Sequence, residues 1–191
     1  MNHRGTKQLQ TERLLLRKLH VNDAKQMYEN WASDKDVVTF LTWPVHNDVE
    51  VTKNILLDWM ESYHEDRFYQ WGIEIEDTKT LIGTMSVVEI NDKIKSLQIG
   101  YCIGSQWWHQ GYTSEALTAV IDYLFNEVGC NRIEAKHDPR NPHSGAVMKK
   151  CGMKYEGTLR QSDINNQGIC DTCYYSILRN EWEIKQVLEE V

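Results

Sequence analysis

The hydrophobic period of this 191-residue chain changes twice, and those changes constrain its fold more than any other feature. Residues 69–76 alternate apolar and polar side chains, which is typical of a half-buried strand. Two more strand-like segments follow at 80–90 and 94–104, joined by the turn residues 91–93. From Leu117 the apolar residues recur at helical spacing as far as Gly129. The order predicts antiparallel neighbouring strands combined with helices.

The segments on either side of this centre complete an α+β pattern. We expect Asn22 or Asp23 to cap the first helix, and Asn141 to cap a later helix that starts at Pro142. The helix that starts at Pro142 is expected to end at Gly152. The further predicted elements are strands at 14–19, 132–137, 158–161 and 169–178, a helix from about Asp48, and a terminal helix over 181–190. No Gly-, Ser- or Pro-rich linker divides them, so we expect one domain over residues 1–191.

Composition and charge argue against several classes of protein. A net charge of -7 disfavours non-specific nucleic-acid binding, which needs a basic surface. The first ten residues are polar and no apolar run has the length of a membrane span, so we expect no membrane segment and a cytoplasmic location. The five cysteines are expected to be reduced thiols. Cys170 and Cys173 form a C-x-x-C without a second ligand pair, so we expect no metal site.

The segment from Ile99 to Glu115 is the one that suggests chemistry. A strand leads to Gly104, then to a turn that contains Gly111, and then to the apolar helix. A helix N-terminus after a glycine-bearing turn favours an anion, because its free N–H groups point outward and the helix dipole is positive there. Neither G-x-x-x-x-G-K-S/T nor G-x-G-x-x-G is present. By itself, such a segment is more often a plain turn than a phosphate site.

Four motifs in one order resemble the GNAT acetyltransferases. They are Thr11–Arg17, Leu41–Pro44, the stretch Gly100–Ile103 with Trp107–Ala116, and the stretch Asn141–Ser144 with Met148–Met153 and Glu156-Gly157. Each motif is loose alone, whereas four in this order and spacing are fairly specific. The combination is similar to the ribosomal-protein-alanine N-acetyltransferase branch of the family, and it spans roughly residues 11–182.

The resemblance implies a GNAT-like α+β fold: a mixed, mostly antiparallel twisted sheet flanked by helices, with a splayed parallel strand pair that holds CoA. In this chain the pair would be the strands at 94–104 and 132–137. Acetyl-CoA is implied as cosubstrate, with no metal. The backbone of 102–104 would pair with the pantetheine arm, and the N–H groups of 110–114 would surround the pyrophosphate. The implied cofactor-binding residues are Cys102, Ile103, Gly104, His109, Gln110, Gly111, Tyr112, Thr113, Ser114, Asn141 and Ser144.

Amine acetylation needs two proton transfers: the amine loses a proton before attack, and the departing thiolate gains one. By resemblance, Ser144 lies near the sulfur and is the candidate proton donor, since Met148 occupies the position where many family members have a tyrosine. Gln98 stands where the branch often has a glutamate. Glu74 and Glu89, on neighbouring strands, are therefore the candidate bases, with a solvated strand face as the plain alternative.

We predict that the chain transfers an acetyl group from acetyl-CoA to a primary amine. The resemblance implies a protein N-terminal α-amine as the acceptor, and a small amine such as a polyamine, amino acid or antibiotic is the alternative. Gln98 and Met148 motivate a rival hypothesis, a non-catalytic acyl-CoA sensor. The sequence leaves open the acceptor, the general base, the choice between monomer and homodimer, and whether Lys149 or Lys150 contacts the CoA 3′-phosphate.

Overall fold

The structure is a computed structural model that describes residues 1–189. The strands are β1 (Leu9–Gln10), β2 (Leu14–Arg17), β3 (Gln70–Ile75), β4 (Thr80–Asn91), β5 (Ser96–Ile103), β6 (Arg132–His137), β7 (Lys154–Asn165) and β8 (Gly168–Leu178). The helices are α1 (Ala24–Met27), α2 (Lys35–Val38), α3 (Val49–Ser62), α4 (Tyr112–Tyr123), α5 (Pro142–Lys150) and α6 (Arg179–Glu189), with π-helical turns at Tyr28–Ala32 and Leu124–Val128. Glu190, the predicted end of the last helix, lies outside the described residues.

The eight described strands form one sheet in the order β1-β2-β3-β4-β5-β6-β8-β7. Neighbouring strands are antiparallel except β5 and β6, which are parallel. The α+β fold with a mostly antiparallel sheet and one parallel strand pair is therefore confirmed. No helix among these residues has the length and apolar character needed to cross a membrane.

The parallel pair is joined only where its strands begin. The paired residues start at Ser96 with Arg132 and stop at Gln98 with Glu134, while β5 continues to Ile103. A register shift in β4 between Val87 and Glu89 lies opposite this point, since Glu89 pairs with Gln98. Such a bulge bends a strand and increases its twist. The two strands consequently separate, and a gap opens in the middle of the sheet.

Two apolar clusters hold helices on the opposite faces of the sheet. Helix α4 and its π-helical extension contribute Leu117, Val120 and Leu124 to the larger cluster, all with no exposed surface. The smaller cluster joins α1 and α3 to the sheet through Met27, Leu56 and neighbouring residues. Each such buried side chain stabilises the fold by about 1.5–3 kcal/mol. The sheet edges at the gap are therefore fixed from both sides.

The start of the first helix differs from the prediction. A 3-10 turn over Val21–Asp23 precedes α1; His20 is its N-cap, and the His20 side chain accepts from the Asn22 N–H at 3.2 Å. Asp23, one of the two predicted residues, occupies the N-cap position of α1, but its side chain makes no capping hydrogen bond to that helix. Asp23 accepts the His20 N–H at 2.8 Å and a guanidinium N–H of Arg17 at 2.9 Å. The local pattern could not show this, because Arg17 reaches Asp23 from strand β2. The predicted start at Asp48 is confirmed, since its carboxylate accepts from two N–H groups of the first turn of α3.

Candidate active site

The gap between β5 and β6 opens into a cavity of about 460 Å³. Because side chains alternate along a strand, Gln98 and Cys102 point to one face of β5, and Ile99 and Tyr101 point to the other. All four residues line the cavity. The cavity therefore passes through the sheet at the gap and joins its two faces.

The free edge of β5 offers backbone groups to this cavity. The Gly104 N–H donates to the Ile82 carbonyl at 2.8 Å, on the β4 side. Since hydrogen-bonding direction alternates along an antiparallel strand, the N–H groups of Tyr101 and Ile103 face the gap instead. The Ile103 carbonyl accepts from the Trp108 indole at 2.9 Å. That contact occupies the Ile103 carbonyl, whereas the N–H groups of Tyr101 and Ile103 stay available to a ligand.

Gly104 allows the chain to turn tightly at the end of β5. A Cβ at this position would lie 2.2 Å from the Asn30 carbonyl oxygen and 2.6 Å from the ring of Trp107. Trp107 itself packs against the larger apolar cluster. A side chain larger than hydrogen is thus excluded where the strand enters the turn.

The turn that follows ends at the N-terminus of α4. His109 and Gly111 both have a positive φ, 61° and 82°. The first amide that bonds back is that of Glu115, to the Gly111 carbonyl at 3.1 Å, so the amides of 112–114 precede the first intrahelical bond. The Ser114 hydroxyl donates to the same carbonyl at 2.9 Å and supports the turn. We call residues 109–114 the phosphate turn, since free amides and a helix dipole favour an anion there.

Two cations lie beside the phosphate turn. A Cβ on Gly111 would be 3.4 Å from Nη2 of Arg13 and 3.8 Å from Nζ of Lys150. Arg13 also donates to the Gln110 carbonyl at 3.1 Å and forms an ion pair with Glu115 at 2.6 Å. Burial acts to raise the pKa of Glu115, but hydrogen bonds from Thr11 and Arg13 lower it by more, so Glu115 stays ionised. Arg13 is thereby fixed against the turn.

The two rings of the turn have local partners. Arg13 lies over the ring of Tyr112, with 4.3 Å between the guanidinium carbon and the ring centroid. The ring of His109 contacts that of His143, the second residue of α5, at 4.8 Å. Thr113 is half-buried. The turn, the start of α4 and the start of α5 therefore meet at one end of the gap.

Helix α5 brings Asn141 and Ser144 to the cavity. Asn141 is the N-cap as predicted, but the prediction that its side chain caps the helix is wrong, because the side chain makes no capping hydrogen bond. Asn141 is one of the residues that line the cavity. The Ser144 hydroxyl oxygen lies 3.1 Å from the Tyr101 hydroxyl oxygen. Met148, one turn further along α5, is buried and also lines the cavity.

The two candidate bases do not line the cavity. Glu74 is buried and accepts from Nε of Arg17 at 2.7 Å. Gln70, on the same face of β3 but four residues earlier, does line it; four residues of a strand span about 13 Å. Glu89 is exposed beside the bulge of β4. Alternation along the strand could indicate a face, but not how far along the strand the cavity extends.

One part of the cavity has aromatic and charged walls, and we call it the acceptor end. Its aromatic side chains are Trp31, Phe40, Trp43 and Trp59. Nζ of Lys136 forms an ion pair with Asp163 at 2.8 Å. Asp138 accepts from Arg140 and from the Asn165 amide, the latter at 2.9 Å. No local pattern indicates this group of charged and amide side chains, since its members come from β6, the β6–α5 loop and β7.

Both carboxylates of the acceptor end are ionised at neutral pH. The Arg140 hydrogen bonds hold the pKa of Asp138 well below its ordinary value. Burial acts to raise the pKa of Asp163, but the hydrogen bond and charge of Lys136 lower it by more. Each carboxylate thus already forms an ion pair, Asp138 with Arg140 and Asp163 with Lys136.

Buried polar atoms without a partner are concentrated around the same cavity. Within residues 1–189 these atoms are Nε1 of Trp31, Nε2 of His137 and Oγ1 of Thr172, and all three residues line the cavity. Nδ1 of His137 lies 2.8 Å from the Asp138 carbonyl, which only accepts, so Nδ1 carries the proton. Unpaired buried polar groups are rare in folded proteins. Their concentration here favours a ligand site.

The cysteines of the C-x-x-C pair have different environments. Cys170 lines the cavity, and Cys173 belongs to the larger apolar cluster. All five cysteines are free thiols. Across the described part of the chain, no group of three or more His, Cys, Asp or Glu residues could hold a metal ion.

Comparison with known proteins gives consistent matches. Residues 13–154 match the acetyltransferase (GNAT) domain family. The chain is 33% identical over 171 residues to the uncharacterized N-acetyltransferase YoaA of Bacillus subtilis (strain 168), covering 90% of this chain and 96% of that protein. It is 28% identical over 156 residues to the ribosomal protein uS5-alanine N-acetyltransferase of Escherichia coli (strain K12), covering 78% and 79%. A crystal structure of a GNAT family acetyltransferase from Bacillus anthracis matches with a TM-score of 0.80 and 27% identity, covering 91% of this chain and 99% of that chain.

Proposed function

Because the chain belongs to the GNAT acetyltransferase family and uses acetyl-CoA, we propose that the cavity through the β5–β6 gap is where the acetyl group passes to a primary amine. The observation that carries this proposal is the free edge of β5. It runs from the acceptor end of the cavity to the phosphate turn, so one elongated ligand can contact both. An extended ligand on a free strand edge gains backbone hydrogen bonds.

The residues present fit acetyl-CoA. The amides of 110–114, with Arg13 and Lys150 beside them, suit the pyrophosphate. The free N–H groups of Tyr101 and Ile103 suit the carbonyls of the pantetheine arm. The side-chain amide of Asn141, which makes no capping hydrogen bond, is available on the α5 side of the gap. Acetyl-CoA supplies an activated acetyl thioester. Holding the thioester next to the acceptor amine can lower the activation free energy by several kcal/mol or more.

Two groups of the chain are suited to the chemistry. A backbone N–H at Ile103 can stabilise the negative charge that develops on the thioester carbonyl oxygen. Ser144, on the first turn of α5, can donate its hydroxyl proton to the departing thiolate. Met148 cannot take that role, because a thioether has no proton to give. Both assignments are those that the sequence suggested. Ser144 lines the cavity, and Ile103 is the last residue of β5, the strand that borders the gap.

The acceptor is a primary amine of one of two classes. The E. coli relative acts by name on the alanine of a ribosomal protein, which supports a protein N-terminal α-amine. A second observation favours a small amine: Asn166 of the β7–β8 turn bonds to the loop after α2, and that loop and the end of β7 line the cavity. This contact encloses the acceptor end.

Release of free thiol from acetyl-CoA, measured across an amine panel, tests the proposal. The panel contains peptides with free N-termini, the same peptides with blocked N-termini, polyamines and amino acids. We expect turnover on at least one primary amine and none on blocked peptides that lack lysine. Bound acetyl-CoA without turnover on any amine would instead support the acyl-CoA sensor.

A further inference from the structure

We propose that Tyr101 is a positioning residue that holds the Ser144 hydroxyl in place for proton donation to the leaving thiolate. The inference rests on the role proposed above for Ser144. Tyr101 comes from β5 and Ser144 from α5, so the pair joins the two sides of the cavity. No motif connects the two residues, which are 43 positions apart.

The contact is double. The Tyr101 hydroxyl oxygen lies 3.0 Å from the Ser144 carbonyl oxygen and 3.1 Å from the Ser144 hydroxyl oxygen. A carbonyl only accepts, so the phenol donates in the first contact and can accept the serine proton in the second. The phenol has one proton, and it can also turn that proton toward the serine oxygen when the serine donates elsewhere.

This arrangement restricts a side chain that would otherwise rotate. A serine on the first turn of a helix can occupy more than one staggered rotamer, and only some direct its proton into the cavity. The double contact with Tyr101 selects one position of the hydroxyl oxygen. A proton donor acts only when it lies within hydrogen-bond reach of its acceptor, so fixing the oxygen favours transfer.

The phenol is suited to remain a donor throughout. Burial raises the pKa of Tyr101 well above that of free tyrosine, partly offset by the hydrogen bond with Ser144. The group therefore stays protonated at neutral pH and can keep donating to the Ser144 carbonyl. Met148, the neighbour of Ser144 one turn along α5, offers no hydrogen bond to replace it.

A double-mutant cycle on Tyr101→Phe and Ser144→Ala tests the inference. Turnover is measured under conditions limited by chemistry, together with the KM for acetyl-CoA and the dissociation constant of acetyl-CoA. We expect Tyr101→Phe to lower kcat by about three- to tenfold, the scale of one hydrogen bond, with KM unchanged. In the Ser144→Ala background, Tyr101→Phe should have no further effect on kcat.

Each outcome separates the two proposals. An undiminished effect of Tyr101→Phe in the Ser144→Ala background would overturn the inference, because Tyr101 would then act independently of Ser144. Wild-type turnover of Tyr101→Phe, with Ser144→Ala impaired, would overturn the inference and leave Ser144 in place. Wild-type turnover of Ser144→Ala would remove both roles.

Tyr155→Phe is the matched control. It removes a phenol hydroxyl that lies 2.7 Å from the Thr158 hydroxyl, on an exposed part of β7 outside the cavity. We expect its kcat and KM to equal those of the wild type. Thermal unfolding of Tyr101→Phe within a few degrees of wild type shows that lower turnover does not come from unfolding.

Discussion

Single residues decide whether the phosphate turn can hold an anion. Gly111 combines a left-handed backbone with a surface that faces Arg13 and Lys150. A glycine adopts φ of 82° without strain, whereas other residues rarely do. The same position therefore sets both the course of the chain and its approach to a phosphate. Two substitutions of Gly111 distinguish the effect of backbone strain on acetyl-CoA binding from the effect of an added charge.

We expect Gly111→Glu to abolish measurable acetyl-CoA binding, because it places a carboxylate where the phosphate would lie. Gly111→Ala is the control: it adds only backbone strain of about 1 kcal/mol and should weaken binding far less. Isothermal titration calorimetry with acetyl-CoA measures both. Equal affinities for wild type and Gly111→Glu would remove the phosphate from this turn.

Lys150 should contribute affinity through its charge. We expect Lys150→Gln to weaken acetyl-CoA binding several-fold at low ionic strength and by less at high salt, where exposed charges are screened. Lys149→Gln is the matched control, since Nζ of Lys149 lies toward the ring of Tyr175, 6.0 Å from its centroid. An equal loss of affinity in both variants would show that the cofactor responds to net charge and not to Lys150.

At the scale of secondary-structure elements, a cluster of ion pairs and hydrogen bonds joins strands β6, β7 and β8. Arg132 donates to Glu156 and to Ser176, which itself donates to Glu156 at 2.6 Å. The Arg132 hydrogen bonds lower the pKa of Glu156 from 4.5 to about 2. The β7–β8 hairpin is thereby tied to the strand that borders the gap.

This cluster predicts a pH dependence of stability. A carboxyl with a lowered pKa stabilises the fold above its ordinary pKa of 4.5, and that contribution is lost as pH falls from there toward about 2. Because Glu156 is partly exposed, we expect only about 1 kcal/mol. Urea unfolding of wild type and Glu156→Gln at pH 7 and pH 3 measures it. The difference between the two proteins should shrink at pH 3, and a constant difference would contradict the assignment.

At the scale of the whole molecule, one contact joins the beginning and the end of the chain across the cavity. The Asn166 amide donates to the carbonyls of Val38 at 2.8 Å and Trp43 at 2.7 Å. Its backbone N–H donates to the Leu41 carbonyl at 3.0 Å. The loop after α2 and the β7–β8 turn thus form a bridge over the acceptor end.

We expect Asn166→Ala to open this bridge, since it removes two hydrogen bonds worth about 1–3 kcal/mol together. Amides of residues 38–43 should then exchange faster with solvent, and activity should shift toward larger amines in the panel. Gln167→Ala, in the same turn, is the control. Unchanged exchange and an unchanged ratio of rates on peptides and small amines would show that the bridge does not limit access.

Local sequence determined most elements, because period and end signals are short-range. Strand β6 has the predicted bounds, Asp48 begins α3, and Gly129 ends the helical stretch in a left-handed conformation. The turn before α4 could also be located, since glycine and a helix N-terminus adjoin in sequence. Asp23 does precede α1, as one of the two predicted positions, but its side chain does not cap that helix and binds Arg17, on another element, instead.

The composition of the site was decided by tertiary structure. The β5–β6 gap, the Tyr101–Ser144 contact and the approach of Arg13 to the phosphate turn each join residues far apart in the chain. Glu74 has the side-chain chemistry of a base, yet its ion pair with Arg17 and its distance along β3 keep it from the cavity. Sequence therefore specified which segments form strands and helices and where an anion could bind. Which side chains meet in the cavity depends on sheet order, register and twist, and these follow from long-range packing that local pattern does not encode.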